Sequence, residues 1–220
     1  MDSPIHRFFP ELGAEPLSRL QQLEKLFREW NARINLVSRK DMEQFQLHHL
    51  VHSLALTKWI QFPDGARVLD VGTGGGLPGL PLAICFPRVR FHLCDSIAKK
   101  AAAVEKMRSA LGVRNAVVVN KRAEALESGW DFILGRAVTR LPIFLGWIRD
   151  NLRRGGRETI PNGVLYWKGS LYEEELREIG LEPFAVYPLE ERIPDPYFNR
   201  KFIIHLTREQ VLSAPLPEES

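Results

Sequence analysis

The spacing of apolar residues changes along this chain from a helical repeat to a strand-like one near residue 67. Before that point, apolar side chains recur at intervals of three and four residues, which predicts an amphipathic helix over 16–31. These side chains are Leu20, Leu23, Phe27 and Trp30. Ser38 and Asp41 have the spacing of a capping box, so a second helix is predicted to begin there and to carry three histidines toward an exposed end near Trp59. The histidines are His48, His49 and His52.

From residue 67 onward, short apolar runs alternate with helical stretches, which is typical of a parallel, doubly wound sheet. The predicted strands are 67–71, 90–94, 116–120, 131–134 and 163–167. The predicted helices are 79–86, 98–111, 141–152 and 171–179. Two further strand-like runs, 184–188 and 201–206, predict an antiparallel hairpin that closes the sheet. We therefore expect an α/β fold with an N-terminal helical extension over 1–62, a sheet domain over 63–208 and a flexible tail over 209–220.

The length and composition limit the number of domains and the class of protein. A length of 220 residues suits one domain with a sizeable core. The formal net charge of +3 is a mild basic bias, compatible with a nucleic-acid partner. Cys85 and Cys94 lie in apolar segments and fit neither a metal pattern nor a disulfide framework, so we expect core thiols of a cytoplasmic protein. Because no apolar run approaches the length of a membrane span, no membrane association is expected.

The first predicted strand runs into a turn dense in glycine, with a carboxylate, Asp70, just before it. Such a turn lets a ligand approach bare backbone, because glycine has no Cβ and adopts positive φ. Gly74, Gly76 and Gly79 fit the G-x-G-x-x-G fingerprint of dinucleotide sites, and Asp95 follows at the expected spacing after the next strand. This match is weak evidence on its own.

Two details of the turn favour a different cofactor. Asp70 and Gly72 come before the fingerprint glycines, and Pro78 and Pro81 occupy the first turn of the helix whose N-terminus would otherwise face a pyrophosphate. An acidic start suits a cationic ligand instead. The order D-x-G-x-G-x-G after a first strand, with an acid ending the second, resembles the S-adenosylmethionine site of Rossmann-like class I methyltransferases. A purely structural glycine turn is the remaining alternative.

Residues that follow the predicted strands are the candidates for ligand contacts, because the ligand of an open parallel sheet lies at the carboxyl ends of its strands. Asp95 can accept hydrogen bonds from two ribose hydroxyls, with a cap for the next helix as the alternative. Ala123 and Glu124 could line an adenine pocket, and a solvated glutamate is the other interpretation. Arg136 is expected at the mouth of the cleft, because burying its charge without a partner would be costly.

Motifs that are missing from the sequence narrow the chemistry. No Asn- or Asp-Pro-Pro-aromatic run, as in enzymes that methylate exocyclic amines, follows the fourth strand, and the run at 195–197 comes too late and lacks the second proline. Both cysteines are too early for the nucleophile of a cytosine-C5 enzyme. Only Lys168 is placed as the lysine of a ribose-hydroxyl enzyme. The remaining acceptor type needs no base. Guanine N7 is such an acceptor, since its lone pair is free at neutral pH and catalysis requires only alignment.

The histidines and the scattered basic residues allow more than one interpretation. His48 and His52 have a spacing that could ligate a metal, but no third ligand supports one, so no metal site is predicted. Basic residues near the predicted strand ends could contact a phosphate backbone, although any one of them alone is more simply a solvated side chain. They include Arg122, Arg136, Arg140 and Arg200.

Several separated stretches are similar to the glucose-inhibited division protein B family of bacterial small-subunit rRNA guanine-N7 methyltransferases. They are Trp30-Asn31, Ile34-Asn35-Leu36, His49-Leu50, Ser53-Leu54, Asp70 to Pro81, Asp95-Ser96, Lys99-Lys100, Arg122-Ala123-Glu124, Arg136-Ala137-Val138, Lys168-Gly169 and Arg200. The similarity covers about residues 20–206 and is far more specific than a generic glycine turn. The chain departs from the family in one helix, where the family usually has Arg before the histidine matching His49 and Asp in place of His52.

The resemblance implies a Rossmann-like class I methyltransferase fold, S-adenosylmethionine as methyl donor, and a guanosine of 16S rRNA as acceptor, either in free rRNA or in the assembled small subunit. A monomer is expected. The family's cofactor contacts carry over to Gly72, Leu77, Ala123, Glu124 and Arg136. With the residues selected by position, the expected cofactor site comprises Asp70, Gly72, Thr73, Gly74, Gly76, Leu77, Asp95, Ser96, Ala123, Glu124 and Arg136. Arg136, Lys168 and Arg200 are the candidate catalytic residues. A small-molecule or protein methyltransferase and a non-catalytic nucleotide-binding regulator are the competing functions.

Overall fold

The strands of the protein form one large sheet and one small hairpin. A computed structural model describes residues 3–157 and 160–215. The strands are β1 (Arg67–Val71), β2 (Arg90–Cys94), β3 (Ala116–Val119), β4 (Phe132–Arg136), β5 (Gly156–Arg157), β6 (Ile160–Pro161), β7 (Gly163–Lys168), β8 (Ala185–Pro188) and β9 (Phe202–Thr207). Seven of them make the large sheet in the order β3-β2-β1-β4-β7-β9-β8, while β5 and β6 pair separately.

The large sheet is parallel except at one edge. β1 pairs in parallel with β2 on one side and with β4 on the other, so the strand order reverses between β1 and β4. β9 runs antiparallel to both β7 and β8. The predicted doubly wound sheet and its closing hairpin are therefore confirmed. A crevice is expected outside the carboxyl ends of the strands where their order reverses.

The helices flank this sheet. They are α1 (Pro4–Phe8), α2 (Ala14–Ile34), α3 (Arg39–Glu43), α4 (His52–Leu54), α5 (Gly79–Cys85), α6 (Ala98–Ala110), α7 (Leu141–Ile148), α8 (Tyr172–Glu178) and α9 (Arg208–Ser213), with a π-helical turn at Gln46–Val51 before α4. Successive side chains of a strand point to opposite faces of a sheet, so Val68 packs with the N-terminal helices whereas Leu69 packs with α7 and α9. No helix of the described ranges has both the length and the apolar character to span a membrane.

The N-terminal extension shares its core with the sheet. The predicted first helix is confirmed as α2, and its Phe27 ring lies 4.4 Å from the ring of Phe45 within the same apolar cluster as β1. Ser38 caps α3 as expected, accepting a hydrogen bond from the Asp41 backbone N–H. The helix ends after five residues, however, and the chain continues as the π-helical turn. The histidines expected at an exposed end are instead half-buried against the sheet domain.

The C-terminal end is ordered further than the sequence suggests. The expected tail over 209–220 includes most of α9, which begins with a full capping box between Thr207 and Gln210. Arg149, the residue that directly follows α7, donates hydrogen bonds to the carbonyls of Leu212 and Ala214, which fixes the end of α9. The prediction of a flexible segment from residue 209 is therefore wrong up to the end of α9. Residues 216–220 lie outside the described part of the chain.

Candidate active site

The carboxylate of Asp70 holds the glycine-rich turn together from inside. Its Oδ2 accepts hydrogen bonds from the Thr73 hydroxyl at 2.6 Å and from the Gly79 backbone N–H at 2.8 Å. The side chain is fully buried, and Oδ1 has no hydrogen-bond partner among the described residues. Burial raises the pKa of Asp70 to about 7, although both hydrogen bonds oppose the shift. Asp70 thus shapes the turn between β1 and α5.

Three backbone N–H groups of the turn already have acceptors within the protein. The N–H of Gly74 donates to Asp95 Oδ2 at 2.9 Å, and those of Gly76 and Leu77 donate to the Thr73 carbonyl at 2.8 and 2.9 Å. A pyrophosphate needs several free N–H groups at this place. The turn therefore does not offer the anion site that defines a dinucleotide cofactor, which removes the main support for that interpretation.

Two of the glycines are required by close packing. A Cβ on Gly75 would lie 2.4 Å from the Phe27 ring of α2, so the turn can lie against the N-terminal extension only without a side chain. A Cβ on Gly72 would lie 2.9 Å from Val138, and Gly72 also has a φ of +66°. The glycine-rich turn is thus a joint between the helical extension and the sheet as well as one wall of a cavity.

A cavity of about 320 Å³, here named the Asp95 cavity, lies at the carboxyl ends of β1 to β4. It is lined by Val71, Gly72, Cys94, Asp95, Ser96, Ile97, Lys100, Lys121, Arg122, Ala123, Glu124, Ala137, Val138 and Trp147. Its volume falls within the range of ligand-binding clefts. Each oxygen of Asp95 accepts one backbone hydrogen bond, Oδ2 from Gly74 and Oδ1 from Ile97 at 2.8 Å. One lone pair on each oxygen remains available to a ligand.

The lining of the Asp95 cavity fits S-adenosylmethionine. The free lone pairs of Asp95 can accept from two ribose hydroxyls. Ile97, Val138 and Trp147 provide apolar surface for an adenine ring, and Glu124 in the same lining is a polar partner. Two carboxylates in the lining also suit a ligand that carries a sulfonium and an ammonium group. We conclude that Asp95, Ser96, Ala123 and Glu124 are suited to hold the cofactor.

A second cavity of about 310 Å³, here named the Arg136 cavity, lies beside the first at the ends of β4 and β7. It is lined by His52, Arg136, Ala137, Thr139, Tyr166, Trp167, Lys168, Gly169, Tyr197 and Lys201. Ala137 lines both cavities and adopts a left-handed φ of +54°, uncommon for a residue other than glycine. The two cavities therefore meet at the end of β4.

Arg136 joins the Arg136 cavity to the N-terminal extension. It is the last residue of β4 and is half-buried, with Nη2 lying 3.2 Å from His49 Nδ1 and Nη1 donating to the Ser53 hydroxyl at 3.4 Å. Burial lowers the pKa of Arg136 to about 10, and the nearby Asp70 carboxylate partly offsets this. Burial and the Arg136 charge together lower the pKa of His49 to about 4. His49 is thus neutral at pH 7 and accepts from the guanidinium.

Lys168 is a second cation of the Arg136 cavity that is held in place by a partner. Its ammonium lies 2.6 Å from Glu175 Oε2, and both side chains are nearly buried. Glu175 also accepts from the backbone N–H of Leu141 at 2.6 Å. The Tyr166 hydroxyl fixes the loop before Leu141, because it accepts a hydrogen bond from the N–H of Thr139 and donates one to the Thr139 carbonyl. Lys168 is therefore positioned by a carboxylate before any ligand binds.

The predicted site residues divide into three groups. Gly72, Asp95, Ser96, Ala123 and Glu124 line the Asp95 cavity. Asp70, Thr73, Gly74, Gly76 and Leu77 do not line it but build the turn behind it. Arg136 and Lys168 line the Arg136 cavity, whereas Arg200 lies outside both linings and its neighbour Lys201 is inside.

Sequence reasoning missed several lining residues. Trp147 lies in α7, where its spacing indicates an ordinary helical residue, and the sequence predicts an exposed His52 that instead lines the Arg136 cavity. Tyr197 belongs to the Asp-Pro-Tyr run, which comes too late in the chain for the motif of an exocyclic-amine enzyme but also lines the Arg136 cavity. Position along the chain was a poor guide there, since the hairpin of β8 and β9 returns this segment to the end of β4.

The sheet order defines a Rossmann-like fold of the kind found in class I S-adenosylmethionine-dependent methyltransferases, and the Asp95 cavity lies where such a sheet binds its ligand. The fold is similar to that of the S-adenosylmethionine-dependent methyltransferase SibL, with a TM-score of 0.57 and 15% identity, covering 93% of this chain and 73% of that one. It is also similar to a SAM-dependent methyltransferase from Aquifex aeolicus, with a TM-score of 0.55 and 14% identity, covering 77% and 97% of the two chains.

The sequence identifies the family within this class. Residues 16–187 match the family described as rRNA small subunit methyltransferase G. The chain is 42% identical over 203 residues to the ribosomal RNA small subunit methyltransferase G of Flavobacterium johnsoniae. The matched region covers 92% of this chain and 96% of that protein. The chain belongs to the rRNA small subunit methyltransferase G family.

Proposed function

We propose that this protein transfers the methyl group of S-adenosylmethionine to N7 of a guanosine in 16S rRNA of the small ribosomal subunit. Family membership gives the substrate class. The observation that carries the choice of atom is the lining of the Arg136 cavity, which among the described residues contains no carboxylate. Burial lowers the pKa of its one histidine, His52, well below the ordinary value, so this imidazole is a weak base. An amine or a hydroxyl acceptor would need a group that takes a proton, whereas N7 does not.

Methyl transfer to N7 requires the side chains to position the two reactants and requires no acid or base. S-adenosylmethionine supplies an activated methyl group, and the electron pair of the methyl–sulfur bond stays on sulfur. N7 of guanine forms the new bond with its own lone pair, and because N7 carries no proton, none has to be removed. The residues of the Arg136 cavity therefore have to hold the base with N7 directed past Ala137 toward the Asp95 cavity.

Residue roles follow from these positions. Asp95 holds the ribose of the cofactor, Ser96 and Glu124 contact its polar groups, and Ala123 lies against the adenine. Asp70 and Thr73 keep the glycine-rich turn in the shape that the Asp95 cavity requires. Arg136 and Lys168 act on the acceptor side, since both line the Arg136 cavity. Their fixed partners, His49 and Glu175, keep them in place without consuming every donor.

The partner and the compartment are proposed at a finer level. We infer that the protein acts as a monomer in the cytoplasm, the compartment of its proposed substrate. We also infer that its partner is small-subunit rRNA, either free or in the assembled small subunit.

The decisive experiment maps N7-methylguanosine in small-subunit rRNA from cells that lack this protein. One guanosine should lose its methyl group and regain it on complementation, detected by borohydride and aniline cleavage. Purified protein with labelled cofactor should then modify the same position in deficient rRNA or subunits. Label at another atom, or only in protein or a small molecule, would contradict the proposal. Calorimetry should show binding of S-adenosylmethionine and none of NAD, which a nucleotide-binding regulator would reverse.

A further inference from the structure

The turn between β8 and β9 brings an aromatic ring into the Arg136 cavity. Pro196–Phe198 forms a 3₁₀ turn capped by Asp195, whose Oδ1 accepts a hydrogen bond from the Tyr197 backbone N–H at 3.0 Å. The proline and this cap fix the start of the turn and aim Tyr197 at the ends of β4 and β7. The proline-rich link is thus part of the cavity wall.

The two faces of the Tyr197 ring have different neighbours. The imidazole of His48 stacks on one face, with the ring centroids 3.8 Å apart and the planes 9° from parallel. The ammonium of Lys201 lies 4.4 Å from the ring centroid. Because the imidazole fills the first face at van der Waals distance, the ammonium must lie over the second. The hydroxyl of Tyr197 also donates to the His48 carbonyl at 3.4 Å, which fixes the plane of the ring.

Lys201 differs from the other two cations of the Arg136 cavity. Arg136 is held by His49 and Ser53, and Lys168 by Glu175. Within residues 3–157 and 160–215, Lys201 makes no ion pair, and its contact in the cavity is the face of Tyr197. A lysine on a flexible stem can leave an aromatic face at little cost when a better partner arrives.

We propose that Tyr197 is the surface on which the acceptor nucleobase stacks, and that Lys201 covers this surface in the free protein and moves to a backbone phosphate when RNA binds. The inference rests on the proposed function, since it assumes an RNA acceptor. It adds the residues that hold the base, which lie on the segment between β8 and β9.

The exchange is favourable on both sides. Stacking a base on an aromatic ring is stronger than a solvent-facing contact between an ammonium and the same ring. The displaced ammonium gains a phosphate, which is a stronger partner than a ring quadrupole. His48 supports the ring from behind and would remain stacked throughout. The free protein thus keeps an apolar face covered until a base is present to replace the lysine.

The test compares Tyr197→Leu with Tyr197→Phe and with Tyr187→Leu. Tyr187 is a matched control, because it is a half-buried tyrosine of β8 that packs on Trp59 with centroids 5.6 Å apart and lies outside both cavity linings. The rRNA dependence of methylation and the calorimetric affinity for S-adenosylmethionine are measured on each variant. Tyr197→Leu should lower kcat/KM for RNA by roughly 5- to 150-fold with unchanged cofactor affinity, and Tyr197→Phe should restore most of it.

Lys201→Met gives an independent readout that does not depend on the tyrosine variants folding. The slope of log affinity for RNA against log salt should fall by about 0.7 to 0.9, because one phosphate contact is lost. An unchanged slope would overturn the role of Lys201. If the wild-type protein methylates rRNA but Tyr197→Leu behaves like Tyr187→Leu, the stacking role is refuted and the proposed function stands. If the wild-type protein methylates no rRNA, the proposed function itself fails.

Discussion

Replacing Asp95 by alanine should remove the ribose contacts of the cofactor while leaving the sheet intact. In the structure each carboxylate oxygen accepts one backbone hydrogen bond, from Gly74 at 2.9 Å and from Ile97 at 2.8 Å. The remaining lone pairs, one on each oxygen, are the only ones that a ligand can use. At most two ribose hydroxyls can therefore be bound by this side chain, one at each oxygen.

The expected loss follows from that geometry. A hydrogen bond to a charged group contributes about 1.5 to 3 kcal/mol, which corresponds to roughly 10- to 150-fold in Kd for each bond lost in Asp95→Ala. The same substitution leaves the N–H groups of Gly74 and Ile97 without their acceptor. That should lower the free energy of unfolding by on the order of 1 to 3 kcal/mol for each group that stays buried.

The assay separates these two effects. Titration calorimetry is run on the wild type and on Asp95→Ala with S-adenosylmethionine and with an analogue that lacks both ribose hydroxyls. Asp64→Ala serves as the control, because Asp64 is an exposed carboxylate paired with Arg88. The variant should bind the normal cofactor more weakly, whereas the analogue should bind to both proteins alike. An equal loss for both ligands would refute the ribose contact and show that Asp95 acts only through the glycine-rich turn.

Three further predictions follow from single contacts. Arg136→Ala should reduce the single-turnover rate on RNA more than cofactor affinity, because the side chain lines the acceptor side. Arg140→Ala should reduce only RNA affinity and its salt dependence, because the Arg140 side chain is 57% exposed. Equal effects of the two changes on the rate would contradict this. Gly75→Ala should lower the free energy of unfolding by about 1–3 kcal/mol in denaturant titrations, since its Cβ meets a ring at 2.4 Å, while Gly169→Ala, with nothing within 4 Å, should not. His205 is fully buried, and burial lowers its pKa to about 4, so between pH 6.5 and 4 only the unfolded chain gains a proton. The free energy of unfolding of the wild type, relative to His205→Gln, should therefore fall by about 3 kcal/mol as the pH is lowered over that range. Parallel profiles of unfolding free energy against pH for the two proteins would argue against this.

The sequence predicted the sheet well because its signals are local. Apolar runs and the Ser38 cap each depend on residues a few positions apart, and the structure confirms them. The errors lie at element ends. β4 extends to Arg136, so the arginine belongs to the strand rather than following it, and α7 ends at Ile148 rather than near residue 152. Such ends are decided by what packs against them, which local patterns do not record.

The fold class, the glycine-rich turn and the acid that follows β2 can be predicted from the chain alone, because they depend on residue type and short spacing. Which residues share a cavity depends on long-range packing and is seen only in the folded protein. Tyr197 and Arg136 are 61 residues apart along the chain, yet both line the Arg136 cavity. They meet there because β7 pairs with β4, and β9 then pairs with β7 in the antiparallel direction. Asp70, adjacent in sequence to the cofactor turn, is buried inside it instead. Burial and contact depend on the path of the whole chain, and that path is set by long-range packing.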